Sequence, residues 1–225
     1  MSAQKASGKL LQVGHEMRYA NLMQRVRQCV DDGLIGGIQM MVLQEFRFPL
    51  LPGWRQTGET GGVMLEKNSH FFDLFNWFAG ADAVRVVGVG GNNVNEDSPL
   101  IDHCMVMVEY EGGIRANLVM CLFAEQGSRP TLDIVGDRGR IIAHLADQRV
   151  LVYSRTDPEP QEWSFEKGAD GSFHPGFKTQ HEAFIRSIRE GAPVLVDGAQ
   201  ARRAMAVSLA AERAVAGETV VEMTV

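Results

Sequence analysis

The sequence predicts an α+β fold: a mostly antiparallel open sheet with helices on one face. Three observations carry that prediction. Strand-like runs cluster between about 83 and 165, with helical patterns before and after them, the order of an α+β domain. Gly112-Gly113 and Gly136-Asp-Arg-Gly139 separate such runs as hairpin signals, so neighbouring strands run antiparallel. The run 114–123 is largely apolar in both alternating sets: Ile114, Ala116, Leu118, Met120 and Leu122 on one side, Val119, Cys121 and Phe123 on the other. A sheet apolar on both sides has both sides covered. Helices supply one cover, and the second requires another layer or another subunit.

The elements follow in chain order. Residues 9–14 read as a short buried strand. Leu22, Met23, Val26, Cys29 and Val30 recur at helical spacing, and Gly33 and Gly36 stop that helix. Val42, Phe46 and Phe48 make 38–48 strand-like, with Pro49 ending the run. The stretch 49–62 holds two Pro and four Gly beside Trp54 and Arg55, and loops of that length tend to be functional. One helix is predicted over 63–79, closed by Gly80. Its Phe71, Phe72, Phe75 and Phe78 form an aromatic wall, while Glu66, His70, Asp73 and Trp77 share a narrow stripe elsewhere on the wheel. Strands are predicted at 83–90, 101–111, 114–123, 131–135, 140–145, 150–153 and 162–165. Pro175 suits the first turn of a helix with Phe177, Phe184, Ile185 and Ile188 as its buried stripe. Asp197 with Gln200 resembles a capping box for an Ala-rich helix stopping near Gly217, and 219–225 is a last β-branched strand.

Composition narrows the function classes. The chain has 225 residues, 45% apolar and 22% charged, which fits a soluble globular protein of one large domain or two small ones. The net charge of −6 without a basic block argues against nucleic acid or an anionic membrane as partner. No run approaches the ~18 apolar residues of a membrane span, and the first residues lack a signal-peptide core. Cys29, Cys104 and Cys121 are an odd, widely spaced set, without a metal or disulfide framework. They suggest a reducing compartment, so the cytoplasm is the expected location.

Glu66-Lys-Asn-Ser-His70-Phe-Phe-Asp73 is the strongest constellation. Its spacing sets Glu66 one helical turn before His70. A carboxylate beside an imidazole raises its basicity and fixes its tautomer, as proton transfer near neutral pH requires. The same spacing also suits an ion-paired solvated face, or a metal site lacking the second His of helical zinc motifs. Gly88-Val-Gly90-Gly91 superficially resembles a dinucleotide fingerprint, but a loop follows where the fingerprint needs a helix. His15, Glu16 and Arg18 directly follow the first predicted strand, as a ligand crevice or as a polar entry to a helix. His174 opens a later helix, facing substrate or only solvent.

Taken together, these segments resemble the Gfo/Idh/MocA oxidoreductases over nearly the whole chain. Leu11-Gln-Val-Gly-His-Glu-Met-Arg18-Tyr is similar to the strand and Arg-bearing loop that begin the family's substrate domain. Asp32-Gly-Leu-Ile-Gly36-Gly is similar to its helix end. Gly61-Gly62, Glu66-x-x-x-His70-x-x-Asp73 and Asn76-Trp77-Phe78-Ala-Gly80 resemble its G-G-x-x-x-D-x-x-x-H-x-x-D-x-x-x-W signature, with Glu66 where the family usually has Asp. The hairpin 108–116, the turn 134–139, Phe184 and Pro193 also match.

The resemblance implies that residues 1–14 are a remnant of a Rossmann domain, including a remnant strand, and that 15–225 form a substrate-binding and oligomerisation domain. It implies NAD(P)-dependent hydride transfer with a sugar, cyclitol or related polyol. The family's glycine fingerprint and its Glu-Lys-Pro segment are missing from this sequence. NAD or NADP is therefore implied while its binding domain is absent, and the chain alone is expected to be inactive. Carried over, His70 is the acid/base and Glu66 its partner, Arg18, Glu16 and His174 are pocket residues, and no metal is involved. The expected partners are a small polyol and further copies of the chain, as a homodimer or higher homo-oligomer through the sheet. The rival expectation is a non-catalytic ligand-binding or dimerisation module.

Overall fold

The computed structural model describes residues 1–49, 53–54, 60–124, 126–167 and 176–223. Its centre is a nine-stranded sheet of order β8-β7-β6-β5-β1-β4-β3-β2-β9. The strands are β1 (Ile38–Phe46), β2 (Ala83–Gly91), β3 (His103–Tyr110), β4 (Arg115–Cys121), β5 (Thr131–Gly136), β6 (Gly139–His144), β7 (Arg149–Ser154), β8 (Gln161–Ser164) and β9 (Val220–Glu222). Two antiparallel meanders, β2-β3-β4 and β5-β6-β7-β8, flank β1. β1 pairs antiparallel with β5 and parallel with β4, Met40 opposite Arg115 through Phe46 opposite Cys121. The sheet is open and mostly antiparallel, as the hairpin signals predict.

The helices are α1 (Ser2–Ser7), α2 (Asn21–Asp31), α3 (Gly62–Glu66), α4 (Ser69–Ala79), α5 (Gly176–Glu190) and α6 (Gly198–Arg213). α4 packs on α6 and β1, α6 reaches β2, and α2 lies over β6 and β7. Between them the core collects the inward alternating set of each strand, including Met41 and Leu43, Val106 and Val108, Leu118 and Met120, and Ile141 and Ala143. Phe71, Phe72, Phe75 and Phe78 of α4 all sink into it. Each buried aromatic of this kind contributes about 1.5–3 kcal/mol. The expected capping box forms: Asp197 accepts from Ala199 and Gln200, and Gln200 Oε1 accepts from Asp197 N–H.

The opposite sheet face has no second layer among the described residues. Met40, Val89, Met105 and Tyr153 stand exposed on it. Cross-strand register makes part of this face continuous, with Val89 opposite Met105 and Met105 opposite Val119.

Three expectations change. Residues 9–14 carry no strand: the segment is held by Val13 N–H on Val196 O, and among the described residues no strand pairs with it. The expected single helix over 63–79 is broken at Lys67-Asn68 into α3 and α4. The α5 stripe is not buried: Phe177, Ile185 and Ile188 are 56%, 47% and 62% exposed, because nothing described packs over them. The glycines at 88 and 90, which the loop after them already sets apart from a dinucleotide fingerprint, serve close packing. A Cβ on Gly88 would lie 3.1 Å from Ala214 Cβ, and one on Gly90 would lie 2.9 Å from Val215 Cγ1, so the turn after α6 packs directly on these glycines.

Phe75→Ala should therefore cost about 3–5 kcal/mol, whereas Ile188→Ala in this chain should change stability by less than about 0.5 kcal/mol. Urea denaturation of both variants measures the contrast, and equal losses would contradict the burial assigned to the two helices.

Candidate active site

The site forms where the turn Glu16–Tyr19 meets α4. All four residues of this 3₁₀ turn are buried. Gly176, at the start of α5, presses against it so closely that a Cβ there would lie 2.1 Å from Glu16 O. Thr179 Oγ1 donates to Tyr19 O at 2.8 Å, and Gln24 Nε2 donates to Arg18 O at 2.5 Å. The turn is thus clamped by α2 and α5 before α4 packs against it.

Arg18 and Asp73 make the joint. Arg18 Nε donates to Asp73 Oδ2 at 2.6 Å and Nη2 to Oδ1 at 2.7 Å, a two-pronged pair between groups that are each 1% exposed. The guanidinium also lies 5.4 Å from the centre of the Trp77 ring. Asp73 and Trp77, one helical turn apart, thus hold the arginine on α4 by charge and by ring face.

That joint sets the other charged groups. His70, in the first turn of α4, has Nδ1 3.1 Å from Glu16 Oε2. The imidazole is partly open, at 28% exposure, while the Glu16 side chain is 8% exposed. His15 lies edge-on to His70, ring centres 5.4 Å apart, with its Nδ1 3.8 Å from Asp73 Oδ2. Burial pushes the His15 imidazole below its ordinary value of 6.5, against the upward pull of Asp73, with His70 and Arg18 adding to the downward side. The cluster pairs a partly open imidazole on a buried carboxylate with a second, more buried imidazole that favours its neutral form.

His70 and Glu16 come together. Arg18 is buried against Asp73. Glu66 closes α3, half-buried, on the far side of the helix break, and the carboxylate placed at His70 Nδ1 is that of Glu16. His174 and Arg55 lie outside the described residues, and Trp54 is exposed. Among the described residues no group of three or more His, Cys, Asp or Glu could hold a metal ion. Sequence reasoning passes over Lys67 and Glu45, an ion pair with Lys67 Nζ 2.5 Å from Glu45 Oε1. The available signal is a Glu at an inward position of a strand.

The His15 shift gives stability a pH dependence. Its folded value is depressed, so below 6.5 the unfolded chain takes up a proton that the folded chain resists. The contribution is complete above 6.5 and is lost as pH falls toward the folded value. His15→Gln should flatten this stretch. Urea denaturation at about pH 5 and about pH 8 tests it, and an unchanged pH slope in the variant would remove His15 as the source.

The profile described as "Oxidoreductase family, C-terminal alpha/beta domain", the Gfo/Idh/MocA C-terminal domain, matches residues 27–223. Among curated relatives, the chain is 22% identical over 221 residues to myo-inositol 2-dehydrogenase of Thermotoga maritima, covering 93% of this chain and 63% of that protein. It is 24% identical over 215 residues to inositol 2-dehydrogenase of Rhizobium meliloti, covering 92% and 63%. Among solved structures, myo-inositol 2-dehydrogenase from Lactobacillus plantarum superposes with a TM-score of 0.77 at 20% identity, over 99% of this chain and 67% of that one. The chain thus spans about 63% of the length of the curated relatives it matches. With the match running through both the sheet and α4, this chain belongs to the Gfo/Idh/MocA oxidoreductase family, in its C-terminal α/β domain.

Proposed function

We propose that this chain supplies the substrate-binding and proton-handling part of a dehydrogenase acting on an inositol or a related polyol. The observation that carries the reading is the partly open His70 imidazole, 3.1 Å from the buried Glu16 carboxylate. A hydroxyl that becomes a carbonyl must lose its proton as its carbon loses hydride. His70 accepts that proton, and Glu16 stabilises the imidazolium that results. In the reverse direction His70 returns it. His15, kept from protonating by burial, offers a neutral ring beside the reacting pair. Arg18 acts through Asp73, holding the turn and α4 in register. Glu66 is a second carboxylate in this reading, and His174, outside the described residues, is a pocket residue only by the family resemblance.

When bound elsewhere in the protein, a nicotinamide, NAD or NADP, would supply the hydride acceptor or donor. The residues of this chain do not fit the dinucleotide: the glycine run on β2 is filled by Ala214 and Val215, and no other phosphate-cradling glycine motif occurs. In this reading residues 1–14 are the end of a nucleotide-binding domain, residues 15–225 are the substrate and assembly domain, and the chain alone is inactive. Cys29, Cys104 and Cys121 are all free, which supports a reducing, cytoplasmic setting. No helix among the described residues is long and apolar enough to cross a membrane.

The chain, fused behind a nucleotide-binding domain from a relative, should oxidise one or more members of an inositol panel with NAD(P). His70→Ala should lower kcat by roughly 10²–10⁴. Glu16→Gln and Glu66→Gln should each lower it less. Wild-type turnover in His70→Ala would refute the acid/base assignment, and no turnover on any polyol would favour the non-catalytic module.

The uncovered sheet face supports self-association, because a continuous apolar patch is rare on a monomer and two-fold pairing is the simplest closure. Light scattering should give a homodimer or a higher homo-oligomer, and Met105→Glu should reduce it toward monomer. A strict monomer at high concentration would count against this part of the reading.

A further inference from the structure

α3 and α4 are separated by a break at Lys67-Asn68. Unbroken, the helix would run from Gly62 to Ala79 and set Glu66 one turn before His70. Instead the Lys67 and Asn68 amides both bond the Val63 carbonyl, at 3.1 and 2.9 Å, and the Asn68 carbonyl then starts α4 by accepting from Phe71 and Phe72. No Gly or Pro sits at the break, the usual sequence causes of a sharp kink. What sits there is Lys67, turned inward to Glu45 near the end of β1. The two side chains are 10% and 0% exposed, with Nζ 2.5 Å from Glu45 Oε1. Arg47 Nη1 stands farther off, at 3.9 Å from the same oxygen. Lys67 Nζ also lies 5.2 Å from the centre of the Phe71 ring, in the first turn of α4. Asn68 is fully buried, its amide nitrogen 3.5 Å from Met64 Sδ and 3.3 Å from Met120 Sδ.

We infer that Lys67 and Glu45 are positioning residues for His70: their buried ion pair holds the helix open between Glu66 and Ser69 and aims the imidazole at Glu16. The physical reason is directional. An apolar residue at 67 can slide along the sheet, whereas an ammonium sunk against a carboxylate has one low-energy place to be. Burial lowers the basicity of the Lys67 amine and Glu45 opposes that shift, so both groups depend on the pair remaining closed. His70 follows three residues later, so a change in the start of α4 reaches the imidazole directly. The catalytic part of this inference rests on the acid/base reading of His70; the positioning part does not.

The test uses the chain for structure and the fused enzyme for turnover. The ring ¹⁵N resonances of His70, one of six histidines, are assigned by their loss in His70→Ala. Lys67→Met and Glu45→Gln should move those resonances and lower kcat by about 10–100-fold, the scale of a displaced reacting group. Lys67→Arg, which keeps charge and reach, should leave both near wild type. Val150→Ala, a core truncation under α2 on β7, should lower Tm while moving neither. The double variant E45M/K67M, an apolar replacement of similar volume, should regain stability without regaining the resonance positions or kcat, and it stands in should either single variant fail to fold. Unmoved resonances and unchanged kcat in Lys67→Met and Glu45→Gln would overturn the inference. So would a double variant that recovers both, since the pair would then only fill space. If His70→Ala keeps its turnover, the acid/base reading fails, and the resonances alone decide the positioning.

Discussion

The fork between Arg18 and Asp73 is the contact on which the site depends. It joins two segments 55 residues apart in sequence through two short charge-assisted bonds in a place closed to water. An exposed pair of this kind would be worth little, but here each charge is buried and has the other as its main compensation. The joint brings Glu16 to His70 and sets His15 beside both. Trp77 behind the guanidinium and Gly176 against Glu16 O leave the turn little room to move. The polar cluster is therefore held from outside itself, by α2, α4 and α5, and the partly open imidazole is the member free to meet a ligand.

The sheet serves two tasks with its two faces. One face collects the alternating apolar rows and the aromatic wall of α4, so the helix that carries His70 is anchored by burial along its length. The other face lacks a second layer among the described residues and presents Val89, Met105 and Val119 as neighbours in register. β1, between two antiparallel meanders, serves both: Met41, Leu43 and Glu45 face the helices, while Met40 stands on the uncovered side. A strand that alternates in this way couples the placement of Lys67, through Glu45, to the centre of the sheet.

Much of the fold is legible along the chain, for reasons that are local. Strand and turn chemistry act over two to ten residues, so Gly112-Gly113 marks its hairpin and Asp197 with Gln200 marks its helix start without reference to the rest of the molecule. The α4 wall is equally plain, since four Phe recurring at helical spacing must be buried. The α5 stripe shows where that logic stops. Phe177, Ile185 and Ile188 have the right period, but burial needs a partner surface, and periodicity does not say whether the same chain provides one.

By itself the sequence determined the α+β class, the antiparallel hairpins and the aromatic face of α4, and it marked His70 as a candidate, because each follows from residue types at short spacing. Only the tertiary structure decided which carboxylate meets that histidine. Glu66 is its neighbour along an ideal helix, but Lys67 leaves the helix to reach Glu45, and Glu16 arrives from a turn more than fifty residues earlier. Such pairings are set by the balance of buried charges across distant segments. Desolvation decides them once the core has closed, and no local spacing encodes that closure.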